Sequence, residues 1–182
     1  MRIILGWFLL LNLGLVSLSC AGPVERRHEV QTVSYVDLPS YLGTWYEIER
    51  FPNWFQKKCR SSKAEYSMRG KNKINVKNSC TTNKGLNVAH GIARVVDRRS
   101  NAKLKVSFVP FFNRFGWFAG DYWILDLAPD YSYVLVGSPD RNYLWILSRT
   151  TVLDPGIVDG LKGVAAREGF DISRLRPSPT WE

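Results

Sequence analysis

Tyr41-Leu42-Gly43-Thr44-Trp45-Tyr46-Glu47-Ile48-Glu49-Arg50-Phe51 decides the fold of this chain, and it is answered about a hundred residues later by Tyr143-Leu144-Trp145-Ile146-Leu147-Ser148-Arg149-Thr150. A glycine and a tryptophan two apart open an alternating run, and an arginine closes a late one. Strand side chains alternate in direction and an indole face attracts a guanidinium, so the pattern predicts that Trp45 buries its ring beneath Arg149. Such a pair plugs one end of a closed barrel.

Working outward, short strands follow one another at hairpin spacing, at about 43–51, 61–68, 73–80, 86–97, 103–109, 120–127, 131–137 and 143–149. Turn-forming clusters separate them: Arg69 to Asn72, Asn83-Lys84-Gly85, Arg98 to Asn101, Pro129-Asp130 and Pro139 to Asn142. The fold class is therefore all-β, an eight-stranded antiparallel up-and-down barrel, the size that closes around one small ligand. After the last strand the period changes. Asp154 is a good N-cap, Pro155 fits the first turn, and Ile157, Val158, Leu161, Val164 and Ala165 make one apolar stripe before Gly169. This predicts one C-terminal α-helix whose apolar stripe must lie on something.

A chain of 182 residues suits one domain. Its 13% aromatic content suits a lined interior cavity. Met1-Arg2, the apolar run Ile3 to Val16 and the small residues Ser17 to Ser19 read as a signal peptide over 1–19, too short to span a bilayer comfortably. Residues 20–36 read as a tether reaching at most roughly 50 Å, 37–175 as barrel plus helix, and 176–182 as an irregular tail. Net charge is +9, or +8 once Arg2 is removed, which suits a solvated surface beside an anionic membrane. No nucleic-acid motif accompanies the basic residues.

Of three cysteines, Cys59 and Cys80 flank strands two and three, and pairing about a turn near Lys71 brings them almost opposite, which predicts a disulfide. Cys20 is left over. Placed after an apolar segment and Ser17-Leu18-Ser19, it resembles a bacterial lipobox whose thiol carries a lipid anchor, although Ser17 stands where an aliphatic residue is usual. The other reading is ordinary cleavage after Ser19 or Ala21.

Gly43, Trp45, Asp130, Tyr131 and Arg149 together resemble the three shared regions of the lipocalin family, in wording most like its bacterial outer-membrane lipoproteins and their apolipoprotein D-like relatives. The resemblance covers roughly residues 37–175. It implies a short entry helix near Asp37 to Leu42 capping the closed end. It also implies an outer helix lying against strands six to eight, with Ile124, Val134, Val136, Leu144 and Ile146 facing it.

Strand parity taken from Arg149 and Trp45 predicts the cavity lining. It sends Tyr143, Trp145 and Leu147 inward, with Glu47 and Glu49, and puts Phe51 at the rim. The remaining pocket candidates are Trp54, Tyr66, Met68, Val106, Phe108, Trp123, Leu125, Tyr133 and Leu135. Glu47 either binds a ligand headgroup or bonds to a neighbouring side chain. Two loops guard the open end, Pro52 to Gln56 with Trp54 and Phe55, and Pro110 to Phe118 with five aromatics. The second suits a membrane interface, ligand entry or a homodimer contact.

With two histidines and no Gly-rich phosphate loop or zinc spacing, the sequence predicts no catalytic residue, no metal and no cofactor. The expected function is binding, storage or transport of fatty acids or lysophospholipids at the bacterial outer membrane, lipid-anchored and facing the periplasm, or else secreted. The alternatives are a pigment or tetrapyrrole carrier and an enzyme acting on lipids.

Overall fold

The computed structural model describes residues 28–108 and 120–181. After α1 (Leu38–Tyr41) come β1 (Gly43–Arg50), β2 (Ser62–Met68), β3 (Lys73–Thr82), β4 (Gly85–Val95), β5 (Lys103–Ser107), β6 (Gly120–Leu127), β7 (Tyr133–Gly137) and β8 (Leu144–Ser148). Each strand pairs antiparallel with the next, β8 returns to β1, and β1 also pairs with β2, which closes the barrel. Helix α2 (Pro155–Arg167) follows, then β9 (Arg176–Pro177).

The polypeptide itself defines the two ends. The turns after β2, β4 and β6 lie at the end plugged by Arg149. Those after β1, β3 and β7 lie at the mouth.

Helix α2 begins where its sequence says it should. The Asp154 carboxylate accepts from the Gly156 and Ile157 amides, and Pro155 fills a first-turn position that needs no donor. Its buried face, Val158, Leu161 and Ala165, packs with Leu125, Leu135, Leu144, Ile146, Phe51 and Phe170 on the outer wall. A separate apolar cluster fills the barrel itself, built on Trp45, Ile74, Val76, Ala93, Leu104, Ile124, Val134, Val136 and Leu147.

Both segments expected to be loose are in fact packed where described. Val30 is 2% exposed among the residues under α2, and the Val33 amide donates to the Ile124 carbonyl at 3.0 Å, so the reading of 20–36 as a free tether fails from His28 onward. The apolar alternation Val30 to Val36 is the reason: it gives the segment a face to bury. At the other end Arg176 and Pro177 add a short strand to Glu49 and Arg50 of β1, so the tail is not irregular throughout.

The predicted disulfide is present, with Cys59 and Cys80 Cα atoms 5.4 Å apart. It ties the β1–β2 loop to the end of β3. Replacing both cysteines by alanine is expected to cost about 3 kcal/mol of unfolding free energy for a loop of this length, measured as a lower urea midpoint. An unchanged midpoint contradicts that.

Candidate functional site: the barrel interior and its mouth

At the closed end the Arg149 guanidinium lies 3.8 Å from the Trp45 ring centroid. Its Nη1 donates to the Thr44 carbonyl at 2.8 Å, Nη2 to the Ser40 carbonyl at 2.9 Å and Nε to the Tyr131 carbonyl at 3.2 Å. Trp45 is fully buried and its indole N–H donates to the Tyr41 carbonyl. The neighbours are shaped to admit this cation. Gly43 takes φ +95°, and a Cβ there would approach Arg149 Nη1 to 3.3 Å. Tyr131 sits at φ 61°, in a turn braced by Asp130, whose carboxylate accepts from the Ser132 amide and hydroxyl. Those bonds hold the Asp130 carboxyl below its usual pKa.

Above the plug, Tyr41, Tyr66 and Tyr122 form a floor. The Tyr41 and Tyr122 hydroxyls are 2.7 Å apart, and Tyr66 donates to Tyr122 at 3.2 Å. These phenols and Ile74, Val76, Ala93, Leu104 and Val106 surround a space of about 10 Å³, enough for one water. Each phenolate would lose its solvation here, which pushes all three tyrosine pKa values well above 10.0.

Toward the mouth the lining turns polar. Glu47 accepts from Gln56 Nε2 at 2.7 Å and Ser178 Oγ at 2.6 Å, and it pairs with Arg50. Arg50 donates also to the Cys59 carbonyl, and the Trp145 indole donates to Gln56 Oε1 at 3.1 Å. The Trp145 and Tyr143 rings stack at 5.8 Å, with Phe55 against both. Glu47 is therefore bonded to neighbouring side chains at the mouth. The hollow on the outer wall beside Glu65, Lys77 and His90 faces away from this lining.

Several pocket candidates lie elsewhere. A bulge in β1 sets Glu47 opposite Leu147 but Glu49 opposite Ile146, which turns Glu49 outward to meet Lys162 at 2.8 Å and sends Phe51 under α2. Arg50 takes the inward place that strict alternation gave to Glu49. Leu125, Leu135, Trp123 and Tyr133 pack on the outer cluster, Trp123 beneath Lys103, whereas Ile124, Val134 and Val136, expected outside, belong to the inner one. Leu144 and Ile146 do face α2.

The physical cause of the inversion is that β7 is apolar on both faces, one meeting the lumen and one the helix, so alternation of polarity cannot set its phase. Hairpin register could have: Val136 opposes Trp145, which Arg149 already fixes inward. Met68 is exposed at the closed end, past the last inward position of β2. Tyr66, Val106, Phe108 and Trp145 pack with the inner cluster as expected, and Phe108 covers Gly91, where a Cβ would meet its ring at 2.9 Å. Tyr41, Tyr122, Arg50 and Gln56 were not anticipated.

The signal peptide, Cys20 and the loop Pro110 to Phe118 lie outside the described residues. Among those residues no helix is long and apolar enough to cross a membrane, and no group of three or more His, Cys, Asp or Glu side chains is placed to hold a metal.

A closed antiparallel barrel, stoppered at one end by an arginine on a tryptophan and flanked by one helix, is the architecture of a small-molecule carrier. Residues 36–180 match the lipocalin-like domain family, and the chain belongs to the lipocalins. It is 39% identical to temperature-induced lipocalin-1 of Arabidopsis thaliana over 86% of each chain, and 38% identical to the outer membrane lipoprotein Blc of Escherichia coli over the same shares. Among solved structures, insecticyanin of Manduca sexta superposes with a TM-score of 0.67 at 21% identity, covering 86% of this chain and 87% of that one.

Arg149→Ala is expected to unfold the protein at markedly lower urea, with a loss of about 3 kcal/mol or more, because three carbonyls lose their donor together. An effect within error contradicts the plug. The tyrosine floor has a pH signature. Unfolded tyrosines ionise near pH 10.0, whereas these three hold their protons higher, so the unfolded state loses protons first. Their contribution is full below pH 10 and falls as pH rises through and beyond it. Unfolding free energy should decline in that window, less steeply in Tyr122→Phe; an equal slope in both proteins contradicts the assignment.

Proposed function

We propose that this lipocalin takes up single-chain amphiphiles, fatty acids or lysophospholipids, tail first through the mouth, and stores or moves them without a covalent step. The observation that carries the reading is the graded interior. It is sealed and apolar below, and ends above in Glu47, Arg50 and Gln56 beside the stacked rings of Tyr143 and Trp145.

A tail of about 16 methylenes gains on the order of 13 kcal/mol on leaving water but little on leaving a bilayer. Exchange with a membrane is then reversible while loss to the aqueous phase is suppressed. The floor, with space for one water, does not hold the chain as it stands. The acyl chain occupies the upper lumen beside Phe108 and Trp145, whose side chains shift to admit it.

Relatives named outer membrane lipoprotein support the reading of Cys20 as a lipid anchor and of the periplasmic face of the outer membrane as the site of action. Secretion without an anchor is the alternative. Native mass spectrometry of protein extracted with its membrane tests both points, giving an acyl mass on the N-terminal cysteine and the mass of any ligand together. A coloured protein carrying a tetrapyrrole mass, or turnover of an added lipid, contradicts the carrier of amphiphiles. With a fatty acid as titrant, Trp145→Ala is expected to bind about tenfold more weakly, the loss of one aromatic contact. Unchanged affinity places the ligand elsewhere.

A further inference from the structure

From Val36 back to His28 the chain runs up the outside of the barrel, away from the plugged end. The Val36 amide donates to the Ser100 carbonyl there, the Val33 amide to Ile124 halfway up the wall, and the Gln31 amide to Glu168 Oε2 at the far end of α2. The His28 carbonyl accepts from Arg141 Nη2 at 2.7 Å, and Arg141 belongs to the β7–β8 turn at the mouth. His28, the first described residue, therefore lies beside the mouth.

The same end carries a lip of distinct chemistry. Trp54 is 71% exposed and Phe55 47%, edge to face at 5.5 Å, and Leu86 is 64% exposed on the neighbouring hairpin. Lys57, Lys58, Arg60 and Lys84 are exposed around them, and neither 52–60 nor 81–88 contains an acidic residue. The lip is held rigid. Asn53 Oδ1 accepts from the Gln56 amide, the Arg60 amide donates to the Thr81 carbonyl at 2.8 Å, and Cys59 is bridged to Cys80.

A large indole kept in water on a braced loop, ringed by cations, fits the interface of an anionic bilayer, where aromatic rings settle at headgroup depth and each cation adds attraction. The closed end is basic too, with Arg69, Lys71, Arg98 and Arg99 exposed, but its exposed large side chains are Met68, Val96, Val152 and a single tyrosine, Tyr35, with no exposed tryptophan among the described residues there.

From these two observations we infer that the barrel docks mouth-down on an anionic membrane through Trp54, Phe55 and the surrounding cations, with His28 on the same side. The lip itself supplies this contact, so it needs neither an acyl group on Cys20 nor a ligand in the lumen. A barrel that bound no amphiphile would still dock.

The test uses the protein from residue 20 onward carrying Cys20→Ser, which removes both the apolar run 3–16 and any acyl group, and sedimentation with vesicles of phosphatidylcholine containing about a quarter phosphatidylglycerol. Binding is expected with these vesicles, and to fall in high salt. It should weaken about tenfold in Trp54→Ala/Phe55→Ala and in Lys57→Glu/Lys58→Glu, and stay unchanged in Arg98→Glu/Arg99→Glu. Tryptophan quenching by brominated acyl chains keeps the outcome independent of folding defects: it is expected in the Cys20→Ser protein and lost when Trp54→Phe is added, although that variant still sediments. Absence of vesicle binding by the Cys20→Ser protein, equal binding by the lip variants, quenching that survives Trp54→Phe, or loss of binding through Arg98 and Arg99 would each overturn the inference.

Discussion

A guanidinium stacked on a buried indole is the constraint on which the rest of this barrel depends. Arg149 brings a full positive charge to the inner end of β8, and burial pulls its pKa down from the ordinary arginine value. The cost of desolvating that charge is offset by three carbonyl acceptors drawn from α1, β1 and the β6–β7 turn, and by the face of Trp45. Because the acceptors come from separate parts of the sequence, the cation fixes their relative positions. With the stopper in place the two ends of the barrel acquire different chemistry.

Between stopper and entrance the polarity changes in order. Phenols hydrogen-bonded to one another make a floor that is neutral at physiological pH, aliphatic side chains form the wall, and a carboxylate, a guanidinium and an amide share bonds near the rim. An ion pair in an apolar barrel contributes little to stability after desolvation. Its position beside stacked aromatic rings suits the polar end of an amphiphile. The C-terminal segment takes part in this rim through Ser178, which strand β9 holds against β1.

The plug was legible because its residues admit few other readings: a glycine that must accommodate an arginine, a tryptophan two places on, and an arginine on a strand of known parity. Strand number, the outer helix and the Cys59–Cys80 bridge followed from turn chemistry and period. The lining was legible only where a strand carried an anchor of this kind. On β8, parity from Arg149 correctly sends Trp145 and Leu147 inward. On β1 a bulge at Ile48 reverses it after Glu47, and nothing in Glu47-Ile48-Glu49-Arg50 announces the extra residue. On β6 and β7 both faces are apolar because both are covered, so Leu125 and Leu135 were indistinguishable by composition from Ile124 and Val136. Tyr41 and Tyr122 escaped for another reason: three phenols from α1, β2 and β6 meet only through the closed topology.

The central claim, a lumen that receives an acyl chain from above a fixed floor, is tested most directly by intermolecular NMR contacts in the protein loaded with a carbon-13-labelled fatty acid. Contacts from the chain methylenes to Val106 and Trp145, with none to Leu125 or Leu135, are the expected result. Contacts confined to the outer wall under α2, or an acyl chain that shows none with the interior, would contradict the account.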